Sequence, residues 1–394
     1  MTRGPALIAG WLDKHEAELI DIRRALHAHP ELGRQEHVTT ALLCSRLEQA
    51  GLSPKVLDGG TGLVCDVGSG EGGLVALRAD LDALPIQDEK DVPYRSQVAG
   101  IAHACGHDVH TAAVLGAGLA LADIADRLPG RVRLIFQHAE EVMPGGAIDV
   151  VREGWLEDVT AIFGLHCDPS LEVCRIGLKS GPLTAAADTV EVRLTGPGGH
   201  TSRPQNTVDL VHALSSVATG LPDALSRLID PRAGLCMVWG HVSAGIASNA
   251  IPREGVLRGT LRILDKDAWL EAPALVRKVV ESIAATYGAV AEVSYERGVP
   301  PVVNDSAATA LLTAAVTTAL GAAAAVPTVQ SMGGEDFAWY LDATPGAMGR
   351  LGVRPPGLAA PLDLHQGLFD VDEAAIGIAV SVLVTAAVAA LTVT

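Results

Sequence analysis

The chain has 394 residues, 48% of them hydrophobic but only 3% aromatic, and a formal net charge of −17. That length calls for two domains and that composition for cores of Ala, Val and Leu, which excludes a disordered chain. The acidic balance argues against nucleic acid and anionic membranes as partners. Six scattered cysteines (Cys44, Cys65, Cys105, Cys167, Cys174, Cys236) exclude a small disulfide scaffold, so a reducing cytoplasm is expected.

Residues 5–12 are mildly apolar but run into Asp13-Lys14-His15-Glu16 without a small-residue cleavage site, so no signal peptide is expected. Residues 12–28 read as an amphipathic helix broken at Pro30, and 38–50 as a second helix ending at Gly51. Apolar strands are expected at 63–67, 74–79, 131–136 and 160–165, with a helix over 111–127. Continuous apolar strands separated by helices predict an α/β domain whose sheet is covered on both faces. The Gly-rich run 68–73 lacks the strand-loop-helix context of a nucleotide site and reads as a hairpin turn.

The pattern changes near residue 188, where 188–195 alternate polar and apolar like a half-buried strand. A helix (207–229), strands (235–244, 255–264), another helix (267–287) and a strand (290–296) follow. The order β-α-β-β-α-β is the ferredoxin-like arrangement. A small domain at 187–298, inserted into a catalytic domain formed by 1–186 and 299–394, is therefore expected. The stretch 374–394 has 21 residues without a charge, which meets the length criterion for a membrane span. Its Ala- and Thr-rich composition and its lack of flanking anchors favour a helix buried against a sheet.

The segment with most chemistry is His103-Ala104-Cys105-Gly106-His107-Asp108-Val109-His110. In an extended loop Cys105 and His107 can face one point, and both are ligands for borderline-soft divalent metals. A helix beginning at Thr111 would lower the thiol pKa through its dipole. Glu140-Glu141 follow an apolar strand at its C-terminal end, where open α/β sheets bind ligands. In extended chain the two glutamates point oppositely, so one can bind metal while the other acts as a base. His166 is placed at the end of another strand, and His365 lies far along the chain. Together these donors suit two metal ions.

The sequence resembles the metal-dependent aminoacylase/carboxypeptidase superfamily, in the branch holding hippurate hydrolase and the indole-acetyl-amino-acid hydrolases. The likeness runs through RRALHAHPEL (23–32), ALRADLDALP (76–85), HACGHDVHTAA (103–113), Glu140-Glu141 and GLH (164–166). It continues through GPGGHTSRP (196–204), SNAIP (248–252), GTLR (259–262), GVPPVVND (298–305), SMGGEDFAWY (331–340) and LHQGLFDVDE (364–373).

The resemblance implies a mixed-sheet di-metal domain sandwiched by helices, with a ferredoxin-like lid that also mediates dimerisation. It implies metal ligands Cys105, His107, Glu141, His166 and His365, with Glu140 as general base and acid. His200 would polarise the scissile carbonyl, and Asn249 and Arg262 would bind a product-side carboxylate. The expected substrates are small N-acyl amino acids. The expected metals are zinc or manganese, with cobalt and nickel open, and a homodimer is expected.

Three departures stand out. Where related branches have an HxD metal motif this chain has Asp80-Leu81-Asp82, so Asp82 can orient a ligand but no histidine comes from there. His138 replaces a common proline, and Gln205 replaces a common histidine. The pairs Arg23-Arg24 and Glu335-Asp336 are read as structural. No GxSxG elbow supports a serine hydrolase. A binding module that kept the fold without the chemistry, and a dipeptidase or broader amidase, are the rival readings.

Overall fold

In the computed structural model, which describes residues 4–358 and 362–393, Leu19, Ile22 and Leu26 recur at helical spacing and are buried. They give α1 (Gly4–Ala28) its apolar stripe. α2 (His37–Gln49) follows, then the strands β1 (Lys55–Val56), β2 (Leu63–Val67) and β3 (Leu74–Asp80). α3 (His107–Ala122), β4 (Arg131–Gln137), α4 (Ala147–Arg152), β5 (Val159–Glu172), β6 (Ile176–Leu178) and β7 (Gly181–Pro182) come next.

The chain then builds β8 (Ala186–Thr195), β9 (Gly199–His200), α5 (Leu210–Leu228), β10 (Cys236–Ala244) and β11 (Ala250–Ile251). β12 (Glu254–Ile263), α6 (Lys266–Thr286), β13 (Val290–Val299) and β14 (Val303–Asn304) follow. α7 (Ser306–Leu320), β15 (Ala325–Pro327), α8 (Ala338–Ala343), β16 (Gly346–Arg354) and α9 (Ala374–Val393) complete it. Contacts divide the chain into two units. One holds the residues up to Gly181, Val303–Val329 and those from Asp336 onward; the other holds Pro182–Val302 with Gln330–Glu335.

In the first unit eight strands form one mixed sheet in the order β1-β2-β4-β3-β5-β16-β6-β15. Alternate residues of its central strands (Val75, Leu77, Ala79; Val132, Leu134, Phe136; Ala161, Phe163, Leu165) are buried with side chains of α1, α3, α7 and α9 in a single core. Every residue of β3 is buried, so its other face is covered as well. A strand flanked on both sides by protein reads as a continuous apolar run for this reason. By length and composition α9 could cross a membrane, but 67% of its most apolar window is buried, and it packs against α1, α3 and α7. Thr394, part of the expected apolar stretch, lies outside the described residues.

Three local expectations need correction. The Gly-rich run 68–73 is not a hairpin, because β4 inserts between β2 and β3 and pairs with both. The glycines serve close approach instead: a Cβ on Gly72 would lie 2.4 Å from the carbonyl oxygen of Pro129. The strand expected to end near 165 runs on to Glu172, because β16 pairs parallel along it and leaves His166 mid-strand. The helix expected from Thr111 begins at His107 and ends at Ala122.

In the second unit β8, β10, β12 and β13 form an antiparallel sheet in the order β10-β12-β8-β13. Along β8 Val190, Val192 and Leu194 are buried, while the residues between them are not. This is the period-2 pattern of a sheet with one covered face. α5 and α6 pack on each other and on the sheet. The Asp265 side chain caps α6 by accepting the Ala268 amide at 2.8 Å.

Candidate metal centre

Gly106 determines how Cys105 and His107 present themselves. Its backbone is left-handed at φ 88°, and a Cβ there would lie 2.7 Å from the Cys167 sulfur, so the chain turns sharply into α3. Cys105 ends the preceding loop and His107 opens the helix. Their donor atoms lie within 4.8 Å of each other and of a His166 nitrogen, with Cys105 Sγ 3.5 Å from His166 Nε2. Cys105 also shares a 4.8 Å cluster with Glu141 and His365, whose Nε2 is 3.3 Å from Glu141 Oε1. The five expected donors thus form two triads that meet at Cys105. Two triads sharing a thiol sulfur is an arrangement that could hold two cations.

The imidazoles are oriented for this. His107 Nδ1 faces the Asp82 carbonyl at 2.9 Å, and His166 Nδ1 faces the Cys167 carbonyl at 2.8 Å. A carbonyl only accepts, so each Nδ1 carries a proton and each Nε2, the nitrogen a neutral ring offers to a metal, is turned to the cluster. His107 Nε2 is buried and makes no hydrogen bond among the described residues, although Asp80, Glu140 and Glu141 carboxylates lie 3.6–3.9 Å from it.

Burial pulls the His107 pKa down, but Asp80, Asp82 and Glu141 overcome this and raise it to about 10. The donor set therefore attracts a positive charge, as a metal site must. Burial pushes the Cys105 thiol well up, and Glu141, Glu140 and Asp80 push it further. Desolvation and three nearby carboxylates thus act against the lowering expected from the helix end. Burial, helped by His110 and Arg350, holds His166 well below the ordinary value, so it is a neutral donor.

Glu140 and Glu141 do not diverge as expected of extended chain. Ala139 is left-handed at φ 52°, and the turn that follows aims both carboxylates at His107 Nε2. They still differ in company, since Glu141 joins the Cys105–His365 triad and Glu140 does not. Asp82 holds the turn by accepting the amides of Glu140 at 3.0 Å and Glu141 at 2.9 Å. His365 is itself left-handed at φ 60°, and its amide donates to the Ala104 carbonyl at 2.8 Å, which ties the two donor-bearing loops together.

Around this cluster lies a structural shell. Asp80 accepts from His110 Nδ1 at 2.6 Å, and the other nitrogen of that ring accepts the Cys167 amide at 2.8 Å, so neither is spare. His138 is buried between the Thr61 carbonyl and Asp149. Asp336 accepts from Arg78, Gln137 and the Ala147 amide, and Arg23 pairs with Asp108, Asp370 and Glu373.

His200, Asn249 and Arg262 belong to the second unit. His200 pairs with Ala250 in the β9–β11 ladder, and the Thr201 amide donates to the Asn249 carbonyl, so these two are neighbours. Both are exposed, as is Gln205. Arg262 is half-buried on β12 opposite Cys236 and Ala187, and its guanidinium has no ion pair among the described residues.

The sequence model of peptidase family M20/M25/M40 matches residues 76–388. An N-acetyl-L-cysteine deacetylase of Bacillus subtilis (strain 168) is 38% identical over 362 residues, covering 92% of this chain and 85% of that protein. A Rhodococcus jostii (strain RHA1) protein that carries a glutamate–cysteine ligase name is 46% identical over 376 residues, 95% of this chain. The chain spans only 47% of that relative's length. Among solved structures, the Bacillus subtilis YXEP protein, described as a dinuclear metal-binding peptidase of the M20 family, superposes with a TM-score of 0.86 at 35% identity. That match covers 97% of this chain and 99% of the YXEP chain.

Proposed function

The chain belongs to peptidase family M20/M25/M40, and on that premise we propose that it is a two-metal amidohydrolase cleaving the amide bond of small N-acyl amino acids. The observation that carries this reading is the pair of donor triads meeting at Cys105, with the Glu140 carboxylate beside them. Cys105, His107, Glu141, His166 and His365 would hold the metals. Zinc suits the thiolate best, with manganese, cobalt and nickel as the other candidates. Two such cations would supply Lewis acidity and lower the pKa of water toward about 7.

The protein's own groups do the rest. Glu140, 7% exposed, takes a proton from the attacking water and returns it to the departing nitrogen. The C–N bond breaks as the new C–O bond forms, leaving a carboxylic acid and an amino acid. His200 donates a hydrogen bond to the carbonyl oxygen as negative charge develops there. Arg262, with Asn249, engages the free carboxylate of the amino-acid half, the guanidinium through its two-pronged fork.

The inserted unit is assigned the role of lid and homodimer surface. β10 is an edge strand of its sheet, with Val238 58% and Val242 68% exposed, which suits a partner copy. A cytoplasmic setting agrees with six free cysteines.

The test is a hydrolysis screen over N-acetyl, benzoyl, indole-acetyl and long-chain acyl amino acids, with each metal added to stripped protein. Turnover of at least one acyl class that depends on added metal is expected. Failure of every class with every metal rejects the reading.

A further inference from the structure

The geometry points to Glu36 as a positioning residue for the Glu140–Glu141 pair: its carboxylate holds the amide of Ala139 and so fixes the backbone from which both glutamates project. This rests on the roles proposed above for those two residues.

Glu36 immediately precedes α2 and is 0% exposed. Its Oε1 accepts the Ala139 amide at 2.7 Å, across 103 residues of chain. With Asp82 accepting the next two amides, three consecutive N–H groups, at 139, 140 and 141, each end on a buried carboxylate. That segment needs holding. Ala139 sits at φ 52°, which residues with a Cβ seldom adopt, and no strand or helix partners the turn that follows. The Ala139 carbonyl is also tied, accepting the Gly146 amide at 3.0 Å.

Glu36 is itself anchored. Its carbonyl accepts both the amide and the hydroxyl of Thr40, at 3.0 and 2.6 Å, and that hydroxyl accepts the Gly62 amide at 2.9 Å. The segment before it lies directly on the glutamate turn. A Cβ on Gly33 would meet Val142 Cγ2 at 2.8 Å, Asp82 Oδ2 at 3.1 Å and Ala139 Cα at 3.2 Å.

A second observation separates positioning from plain stabilisation. The other oxygen, Oε2, is buried and has no hydrogen-bond partner among the described residues. A buried carboxylate that uses only one of its oxygens is a poor stabilising device, because the unused oxygen gives up its water for nothing. Retaining it makes sense where the hold on the Ala139 amide matters more than the desolvation. Burial accordingly raises the Glu36 pKa against the amide bonds it accepts.

The experiment compares wild type, Glu36→Leu and Glu36→Gln by hydrogen–deuterium exchange over residues 138–142, and by kcat and KM on metal-loaded protein. Leucine removes the acceptor while filling the space; glutamine keeps an acceptor. Exchange in the leucine variant is expected to quicken by about tenfold or more. Its kcat is expected to fall about 10²-fold at little-changed KM, as for a catalytic group displaced by an ångström. Glutamine should recover most of both losses.

Wild-type exchange rates in the leucine variant, or a glutamine variant as impaired as the leucine one, would overturn the assignment. Should the leucine variant not fold, fast exchange at 138–142 in wild type would overturn it equally. A wild type that hydrolyses no N-acyl amino acid would reject the functional reading but leave the exchange comparison intact.

Discussion

The amide and the hydroxyl of Ser202 both reach Nδ1 of His200, at 3.1 and 2.9 Å. A backbone amide can only donate, so Nδ1 holds a lone pair and the neutral ring carries its proton on Nε2. His200 is thereby prepared as a hydrogen-bond donor at its outer edge, as a group stabilising a developing oxyanion must be. Replacing His200 by Ala is expected to lower kcat by about 10²–10³-fold. Ser202→Ala keeps the amide that sets the tautomer and should cost less than about tenfold. Steady-state kinetics decides; full turnover in His200→Ala would remove this histidine from the mechanism.

Glu140 and Glu141 converge on His107 but keep different company, and this predicts different losses. Glu140→Gln should lower kcat by about 10²–10⁴-fold with metal content near wild type. Glu141→Ala should lose metal, because Glu141 belongs to the triad with Cys105 and His365. Elemental analysis of both purified variants checks this. Metal loss in Glu140→Gln with a fully loaded Glu141→Ala would exchange the two roles.

Arg262 is half-buried on β12 without an ion-pair partner among the described residues, so its two-pronged guanidinium is free to take a carboxylate. An N-acyl amino acid should therefore be hydrolysed more than about tenfold better than its C-terminal amide, measured as kcat/KM. Arg262→Lys should narrow that ratio by losing the two-pronged contact. Equal rates on acid and amide in wild type would show that the carboxylate is not read.

His27 is buried between two carboxylates, with Nδ1 2.7 Å from Asp108 and Nε2 3.2 Å from Asp88, while Arg23 lies 3.5 Å away. Burial and Arg23 oppose its charge, but the two carboxylates prevail and raise its pKa above 6.5. A raised histidine pKa contributes stability fully below about pH 6.5, and that contribution fades as pH climbs through the folded value. His27→Gln should therefore lower Tm more at pH 6 than at pH 9, by about 2 °C or more. Equal deficits at the two pH values would contradict the ion-pair account.

Much of this was legible because the chemistry is compressed into short runs. Cys105 and His107 stand two apart around a glycine, and the strands announce themselves as short, largely apolar runs of the kind a doubly covered sheet requires. Long-range pairing was not legible. Nothing local to residues 68–73 indicates that Arg131–Gln137 will insert between β2 and β3, and nothing local to His166 indicates that Gly346–Arg354 will extend its strand. The opposed-glutamate expectation failed for one residue's backbone: left-handed Ala139 turns the chain before Glu140. Glu36 carried no signal because its partner lies 103 residues away, and a glutamate before a helix ordinarily needs no further explanation. The thiol expectation weighed a helix end and could not see the carboxylates that folding gathers around Cys105.

The central claim, a two-metal hydrolase of N-acyl amino acids, is tested most directly by titrating chelator-stripped protein with Zn²⁺ or Mn²⁺ while measuring amine released from an N-acetyl amino acid. Turnover should be absent without metal and rise to a plateau as about two ions bind per chain. Undiminished turnover in the stripped protein, or two bound ions with no amine released from any acyl class, would contradict it.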